Sequence, residues 1–281
     1  MTIYLTGSNG FIGKNLKNSL IQNNYKVKVI NREIFASKNH SEVMNFVETS
    51  DIQDNSVLIH LAAAGVNSKC SIEENLNVNV IYLRRLIESF FYKGLKNFII
   101  AGSCFEYGIS GNKKILISTS TELKPIGYHS ITKTLGFLEC KEFALNHDVN
   151  ITYARLFQVF GEGENNSRLY PSLISAGIKG NDFKMSSGTQ IRDFIHVNDV
   201  VNALIEEINL LSKWQVINIC SGIGTSVKDF ADFQWKNINA KGKLLIGEIP
   251  SKEEKLVRLV GKPSNNKRRK LIKPFYINHE N

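Results

Sequence analysis

Cysteine is scarce in this sequence and nowhere paired. Cys70, Cys104, Cys140 and Cys220 form no C-x-x-C, and no histidine or cysteine cluster has the spacing of a zinc site. A chain of 281 residues buries a core large enough to stand without disulfides or a structural metal. Four reduced thiols and no bound metal are therefore expected. No apolar run approaches the roughly 20 residues that cross a bilayer, so no membrane helix is expected. Strand-like residues begin at Ile3, which leaves no room for a cleaved leader and points to a cytoplasmic protein. There are no internal repeats and no low-complexity tract. Hydrophobic residues at 42% and charged residues at 22% exclude wholesale disorder.

Acidic residues are outnumbered, and the formal net charge is +9. Such a balance invites a nucleic-acid role, but its distribution argues otherwise. Between Lys252 and Lys273 nine Lys or Arg residues accompany only Glu253 and Glu254, so most of the excess lies in one C-terminal stretch. That stretch reads as a solvated face, and neither nucleic acid nor membrane is expected as a partner.

What the sequence does have is strands alternating with helices. Ile3–Thr6, Val27–Ile30, Val57–Leu61, Asn97–Ala101 and Ile151–Phe157 read as strands. Lys14–Asn23, Val43–Val47, Asn75–Tyr92 and Lys133–Asn146 read as the helices between them. The alternation predicts a doubly wound α/β fold, Rossmann-type, with a parallel sheet. Residues 1–160 are assigned to a dinucleotide-binding domain, to which 189–222 return. Residues 161–188 and 223–281 are assigned to a smaller substrate-binding domain.

Ligands of such sheets lie at the carboxyl ends of the strands. Three small-residue segments fall there: Gly7–Gly13, Ala62–Gly65 and Gly102-Ser103. The turn Gly7-x-x-Gly10-x-x-Gly13 joins a strand to a helix, the context of a dinucleotide fingerprint. Gly7 permits the tight turn, Gly10 lets backbone approach a pyrophosphate and Gly13 lets the helix pack on the strand. Asn9, Phe11 and Ile12 complete this cradle, and the helix end supplies N–H groups to the phosphates. Leu61, Ala62 and Ala63 border it from the third strand. After the second strand stand Asn31 and Arg32, which favour NADP, followed by Glu33, an acidic residue that keeps NAD as the alternative.

TGSNGFIG at the start, HLAA at His60 to Ala63, Asn79 and GSCFEYG at Gly102 to Gly108 resemble the extended short-chain dehydrogenase/reductase family. RLFQVFG at Arg155 to Gly161 and GTQIRDFIHVNDV at Gly188 to Val200 carry the resemblance to about Gly222. It implies nicotinamide-dependent chemistry on a nucleotide-activated sugar, and a homodimer built on the helices Asn75–Tyr92 and Lys133–Asn146, with Leu76, Val80, Leu83 and Ile87 as an apolar stripe. The family works with a serine, a tyrosine and a lysine. Ser103 matches the serine, which would bind the substrate's C4 oxygen, and Lys133 matches the lysine, which would hold the nicotinamide ribose.

The tyrosine departs from the family's Y-x-x-x-K. Tyr128 lies five residues before Lys133, and His129 lies four before it. On a regular helix i and i+4 differ by about 40° in azimuth and i and i+5 by about 140°. Either the helix starts late and Tyr128 reaches in from an irregular first turn, or His129 has replaced the acid. Tyr128 is preferred at this point, because a phenol is what the family uses.

The resemblance also assigns substrate contacts. Arg192 would grip the nucleotide diphosphate as a bidentate fork. Gln158 stands where relatives carry a sugar-diphosphate contact, and Arg258 is a further candidate for phosphate. Dehydratase relatives carry an Asp-Glu pair after the serine; here Cys104 and Phe105 stand there, which argues against water elimination. Glu106 is read as structural, and Asp193 and Asp199 as orienting and capping the segment after them. The expected activity is NADPH-dependent reduction of a nucleotide-activated 4-keto-6-deoxy sugar for a surface polysaccharide. A 4-epimerase with bound NAD and an inactive nucleotide-binding scaffold are the alternatives.

Overall fold

The computed structural model describes residues 1–35, 40–65, 70–250 and 255–264. The basic cluster Lys267 to Lys270 lies outside the described residues.

Six strands form one parallel sheet: β1 (Thr2–Thr6), β2 (Lys26–Ile30), β3 (Val57–His60), β4 (Asn97–Ser103), β5 (Asn150–Leu156) and, last in the chain, a strand at Trp214–Ile219. Their spatial order is Trp214–Ile219, β5, β4, β3, β1, β2, every neighbouring pair being parallel. The chain leaves β1 for one edge and then crosses back to β3 on its other side. This reversal opens a crevice between β1 and β3 at their carboxyl ends, where doubly wound sheets hold their ligands.

Side chains alternate between the two faces of each strand. Tyr4, Leu58, Phe98, Ile100 and Tyr153 enter one core with Leu83, Leu86, Phe90 and Phe143. Ile3, Leu5, Ile59, Ile99 and Ala154 enter the other with Leu16, Leu20, Val200 and Leu204. Burial on both faces explains why these strands read as continuous apolar runs. The first core is covered by α2 (Arg32–Phe35), α3 (His40–Glu48), α4 (Ile72–Leu76), α5 (Tyr82–Tyr92) and α6 (Tyr128–Asn146); the second, on the opposite face, is covered by α1 (Phe11–Gln22) and the helix at Val197–Glu207.

Beyond β5, chain order continues with β6 (Gln158–Phe160), α7 (Leu169–Ile178), β7 (Phe183–Met185), β8 (Ile191–Arg192), β9 (Phe194–His196), α8 (Val197–Glu207), β10 (Trp214–Ile219), β11 (Thr225–Ser226), α9 (Val227–Asn237), β12 (Leu244–Ile246) and β13 (Arg258–Leu259). The short strands pair as β6 with β9, β7 with β12, and β11-β8-β13. Small clusters such as Leu173, Met185, Ala231 and Trp235 fill this region.

Two elements differ from the sequence expectation. The segment expected as one helix over Asn75–Tyr92 is interrupted by a π turn at Asn77–Ile81. The helix expected from Lys133 starts at Tyr128, its first backbone bond running from Ile131 N–H to the Gly127 carbonyl at 3.0 Å. The late-start alternative is thereby excluded: Tyr128 and His129 are both ordinary helical residues.

Candidate active site

The turn after β1 is built by contact that only hydrogen allows. Gly7 adopts φ +71°, and a Cβ there would lie 2.7 Å from the Ala62 nitrogen. A Cβ on Gly13 would lie 2.0 Å from the Gly7 carbonyl oxygen. The turns after β1 and β3 are thus in backbone contact, and α1 is seated directly on the first of them. Thr6 locks the pair together: its Oγ1 accepts N–H bonds from Leu61 and Ala62 at 3.2 and 3.3 Å and lies 2.9 Å from His60 Nδ1. Neither a capping side chain nor an acidic residue occupies the N-terminus of α1. Phe11 and Ile12 open that helix, Asn9 and Gly10 are exposed in front of it, and Ala62 and Ala63 flank it. Close backbone, uncapped N–H groups and a positive helix end fit a dinucleotide diphosphate. Asn31 and Arg32 are exposed just past β2, with Arg32 Nη2 3.1 Å from Glu74 Oε1.

Ser103 ends β4 and opens a 3-10 turn at Cys104–Tyr107. Its Oγ accepts the Phe105 N–H at 3.2 Å, while its own N–H donates to Glu106 Oε1 at 2.7 Å. Glu106 is fully buried and pairs with the buried Arg155, Oε2 to Nε 2.7 Å. Tyr153 donates from one hydroxyl to Glu106 Oε1 at 3.0 Å and to the Lys133 carbonyl at 3.1 Å. One carboxylate therefore ties the serine of β4 to the lysine of α6. Burial pushes the Glu106 carboxyl above its ordinary range, against the pull of Arg155. Sequence reasoning placed Glu106 as structural, and its bonds agree. It missed Arg155, whose signal was a lone charge inside the apolar strand Ile151–Phe157.

Lys133 is buried and donates from Nζ to the Ala101 carbonyl at 2.9 Å. Burial lowers its pKa. Tyr128 is 56% exposed at the start of α6. His129 is half-buried, with Nδ1 2.8 Å from the Ala64 carbonyl. A carbonyl only accepts, so Nδ1 carries the hydrogen. Burial first, then the charge of Lys133, holds the His129 ring below its ordinary pKa. His60 is pushed down to about 3 by burial and the same lysine. The structure thus gathers His129, Lys133 and the Ala64 loop on one side and leaves Tyr128 at the rim.

Asn79 organises this corner. Its Oδ1 accepts the Ala64 N–H at 3.0 Å, and its Nδ2 donates to the Ala64 carbonyl at 3.2 Å and to Thr132 Oγ1 at 2.9 Å. Ala64 is clamped at both ends of its peptide groups by one amide, next to where His129 binds.

On the substrate side, Gln158 is half-buried at the start of β6, its N–H on the Asp193 carbonyl at 3.0 Å. Arg192 donates to the Ile191 and Leu256 carbonyls, and its charge reaches the Cys104 thiol beside Ser103. Burial pushes that thiol up to about 12. Arg258 lies on the neighbouring strand, in register with Ile191, so it points to the face of the small sheet opposite Arg192. It donates to the Lys114 and Ile115 carbonyls at 3.2 and 3.1 Å. Asp193 does not cap α8; the His196 ring does, accepting the Asn198 N–H at 3.3 Å. Asp193 instead accepts from Ser221, Gly222 and Gly261, and burial pushes it up to about 6. Asn218 Oδ1 accepts the Tyr107 hydroxyl at 2.7 Å, while its backbone N–H donates to Ser264 Oγ at 2.8 Å. Ile117 exchanges backbone bonds with Val260 and Lys262. Residues 258–264 are thereby fastened along the turn that follows Ser103.

Residues 3–220 match the family model described as the NAD dependent epimerase/dehydratase family. The chain belongs to this family. Among curated proteins it is 27% identical to GDP-6-deoxy-D-talose 4-dehydrogenase of Aggregatibacter actinomycetemcomitans, over 94% of this chain and 89% of that protein. It is 26% identical to CDP-abequose synthase of Salmonella typhimurium, over 96% and 91%. Its fold matches the UDP-glucose 4-epimerase of Thermotoga maritima solved with UDP-glucose, at TM-score 0.79 and 21% identity over 94% of this chain and 90% of that one. It equally matches RMD of Pseudomonas aeruginosa solved with NADPH, at TM-score 0.80 and 18% identity over 94% and 90%. Family membership makes this an NAD(P)-dependent enzyme of the nucleotide-sugar epimerase, dehydratase and reductase group. Among the described residues no helix is long and apolar enough to cross a membrane.

Proposed function

We propose that this family member reduces a nucleotide-activated 4-keto-6-deoxy sugar at C4 with NADPH, in the making of a surface polysaccharide. The observation that carries the reading is the end of β2. Asn31, not a carboxylate, directly follows the strand, with Glu33 two residues further on, and exposed Arg32 can exchange its weak surface pairing with Glu74 for a 2′-phosphate. The similarity to a GDP-6-deoxy-D-talose 4-dehydrogenase and to CDP-abequose synthase supports the substrate class. Cys104 and Phe105, buried and half-buried where a dehydratase carries acids, support reduction over elimination.

In this reading the Gly7–Gly13 turn and the α1 N-terminus hold the cofactor diphosphate, and Leu61 to Ala63 line it. Lys133 holds the nicotinamide ribose. Bound NADPH supplies the hydride. Ser103 Oγ already accepts the Phe105 N–H, so its hydroxyl proton is available to the sugar O4. Arg192 and Gln158 bind the diphosphate side, with Arg258 behind the same small sheet. The chain works as a homodimer through α5 and α6, whose Ile131, Leu135 and Leu138 are exposed. Leu83 and Ile87 of the expected stripe are spent on the chain's own core.

The test is NADPH oxidation by the purified chain with the CDP, dTDP, GDP and UDP 4-keto-6-deoxyhexoses, followed by NMR of the product. Stoichiometric oxidation with a C4 alcohol as product is expected. Interconversion of C4 epimers without net cofactor use would identify a 4-epimerase instead.

A further inference from the structure

We infer that His129, rather than a tyrosine, is the proton-transfer group of this site, moving the proton through Nε2 while Nδ1 is held by the Ala64 carbonyl. The inference rests on the reductase reading above and deepens it.

α6 is regular from Tyr128, so the residue one turn before Lys133 on the same face is His129, and Tyr128 is rotated by about 140° from the lysine. The exposures agree: Lys133 is buried, His129 half-buried and Tyr128 at the rim. The acceptor that fixes the imidazole is itself fixed. Asn79 grips both polar groups of Ala64 and reaches across to Thr132 on α6. Gly136 lets α6 approach that clamp, since a Cβ there would stand 2.4 Å from the Asn79 carbonyl. A ring held at Nδ1 has its tautomer set, and its second nitrogen is the position left for exchange. A neutral ring accepts a proton at Nε2; an imidazolium donates one.

In the reductive direction the proton leaves Nε2 for the sugar O4. That oxygen takes the electron pair of the C=O bond as the carbon receives hydride from the reduced nicotinamide. The imidazolium that gave the Nε2 proton is left neutral with its hydrogen on Nδ1, and a hydronium ion or buffer acid from solvent restores the Nε2 proton; a bound reduced dinucleotide would supply the hydride. In the oxidative direction neutral Nε2 takes the C4 hydroxyl proton. The titratable groups on the surrounding elements are Lys133 on α6, His60 on β3, Glu106 paired with Arg155 in the 3-10 turn, and Glu73 and Glu74 on α4. Among the described residues, Lys133 is the one whose charge is felt at the ring, and with burial it keeps the ring neutral at pH 7. Reduction should therefore speed up as pH falls below the ordinary imidazole value of 6.5, and oxidation should slow. A tyrosine would place that break on the alkaline side.

His129→Gln separates chemistry from scaffolding, because its amide N–H can still serve the Ala64 carbonyl but cannot titrate. The expected result is unchanged thermal stability and NADPH binding, with kcat lowered on the order of 10²–10⁴-fold. Imidazole 15N NMR of the full chain supplies a readout apart from turnover. The signal that vanishes in His129→Gln should show a neutral ring protonated at Nδ1, titrating below 6.5. Near-normal turnover in His129→Gln, a loss confined to Tyr128→Phe, or a neutral ring protonated at Nε2 would each overturn the inference alone. Absence of NADPH oxidation by the unaltered chain with all four keto-sugars overturns the reductase reading and this inference with it.

Discussion

Glu106 holds more of the site than any residue that would touch substrate. Its two oxygens accept directly from the Ser103 N–H, the Tyr153 hydroxyl and the Arg155 guanidinium. Arg155 in turn lies over the rings of Phe137 and Tyr107, 4.5 and 4.8 Å from their centroids. A buried ion pair is weak evidence of net stability, but removing one partner strands the other. Glu106→Gln should cost about 3–5 kcal/mol in urea unfolding. The protein that remains folded should show a lower kcat, since the Ser103 turn loses a charged acceptor. At this scale the sequence was legible where a motif named the residue. The three glycines form the turn after β1, Ser103 ends β4 and Lys133 is buried on α6. Arg155 was hidden because its partner lies 49 positions away and because no local pattern marks a charge that is neutralised across strands.

The corner between the π turn and α6 is where secondary structure bears on chemistry. A π turn inserts one residue into a helix and re-aims the side chains around it; here it carries Asn79, Thr132's partner. Gly136→Ala tests the closeness of the two elements. In an exposed helix such a change gains about 1 kcal/mol. Here the added methyl meets backbone at 2.4 Å, and the opposite sign is expected. A fall in melting temperature is predicted, with a KM for NADPH that rises because Lys133 moves with the helix. The π turn was not legible, since five residues are too few to separate its period from that of an α-helix. The start of α6 was misplaced for a different reason. Ser130 and Thr132 are buried with Lys133, so the inner face of the first turns is polar and shows no apolar period. A helix that turns its chemistry inward looks like a loop in sequence.

The whole molecule is a sheet covered on both sides by helices, one of which, α6, turns polar residues inward and leaves apolar ones exposed. Ile131, Leu135 and Leu138 of α6 are exposed together with Ile81 in the π turn, more apolar surface than a helix of a monomer needs. Leu138→Glu should convert a dimer to a monomer in sedimentation velocity, with the secondary structure intact. A monomeric unaltered chain would remove the dimer from the proposal. The parallel, doubly wound architecture was legible from alternation alone, because strands buried on both faces give unmistakable apolar runs. The three small sheets beyond β5 were not, because two- and three-residue strands leave no period to count.

The fastening of residues 258–264 along the turn after Ser103 has a consequence in time. A chain emerging from the ribosome completes the Gly7 turn, Asn79 and Lys133 long before these residues appear. Gly261 must then reach Asp193, and Ser264 must reach Asn218. On the proposed reading, the residues assigned to the dinucleotide precede in the chain those that close the corner around Asp193 and Asn218. On that reading, a chain cut before β13 is expected to lose the contacts that Gly261 and Ser264 make with Asp193 and Asn218 while keeping the Gly7 turn, Asn79 and Lys133.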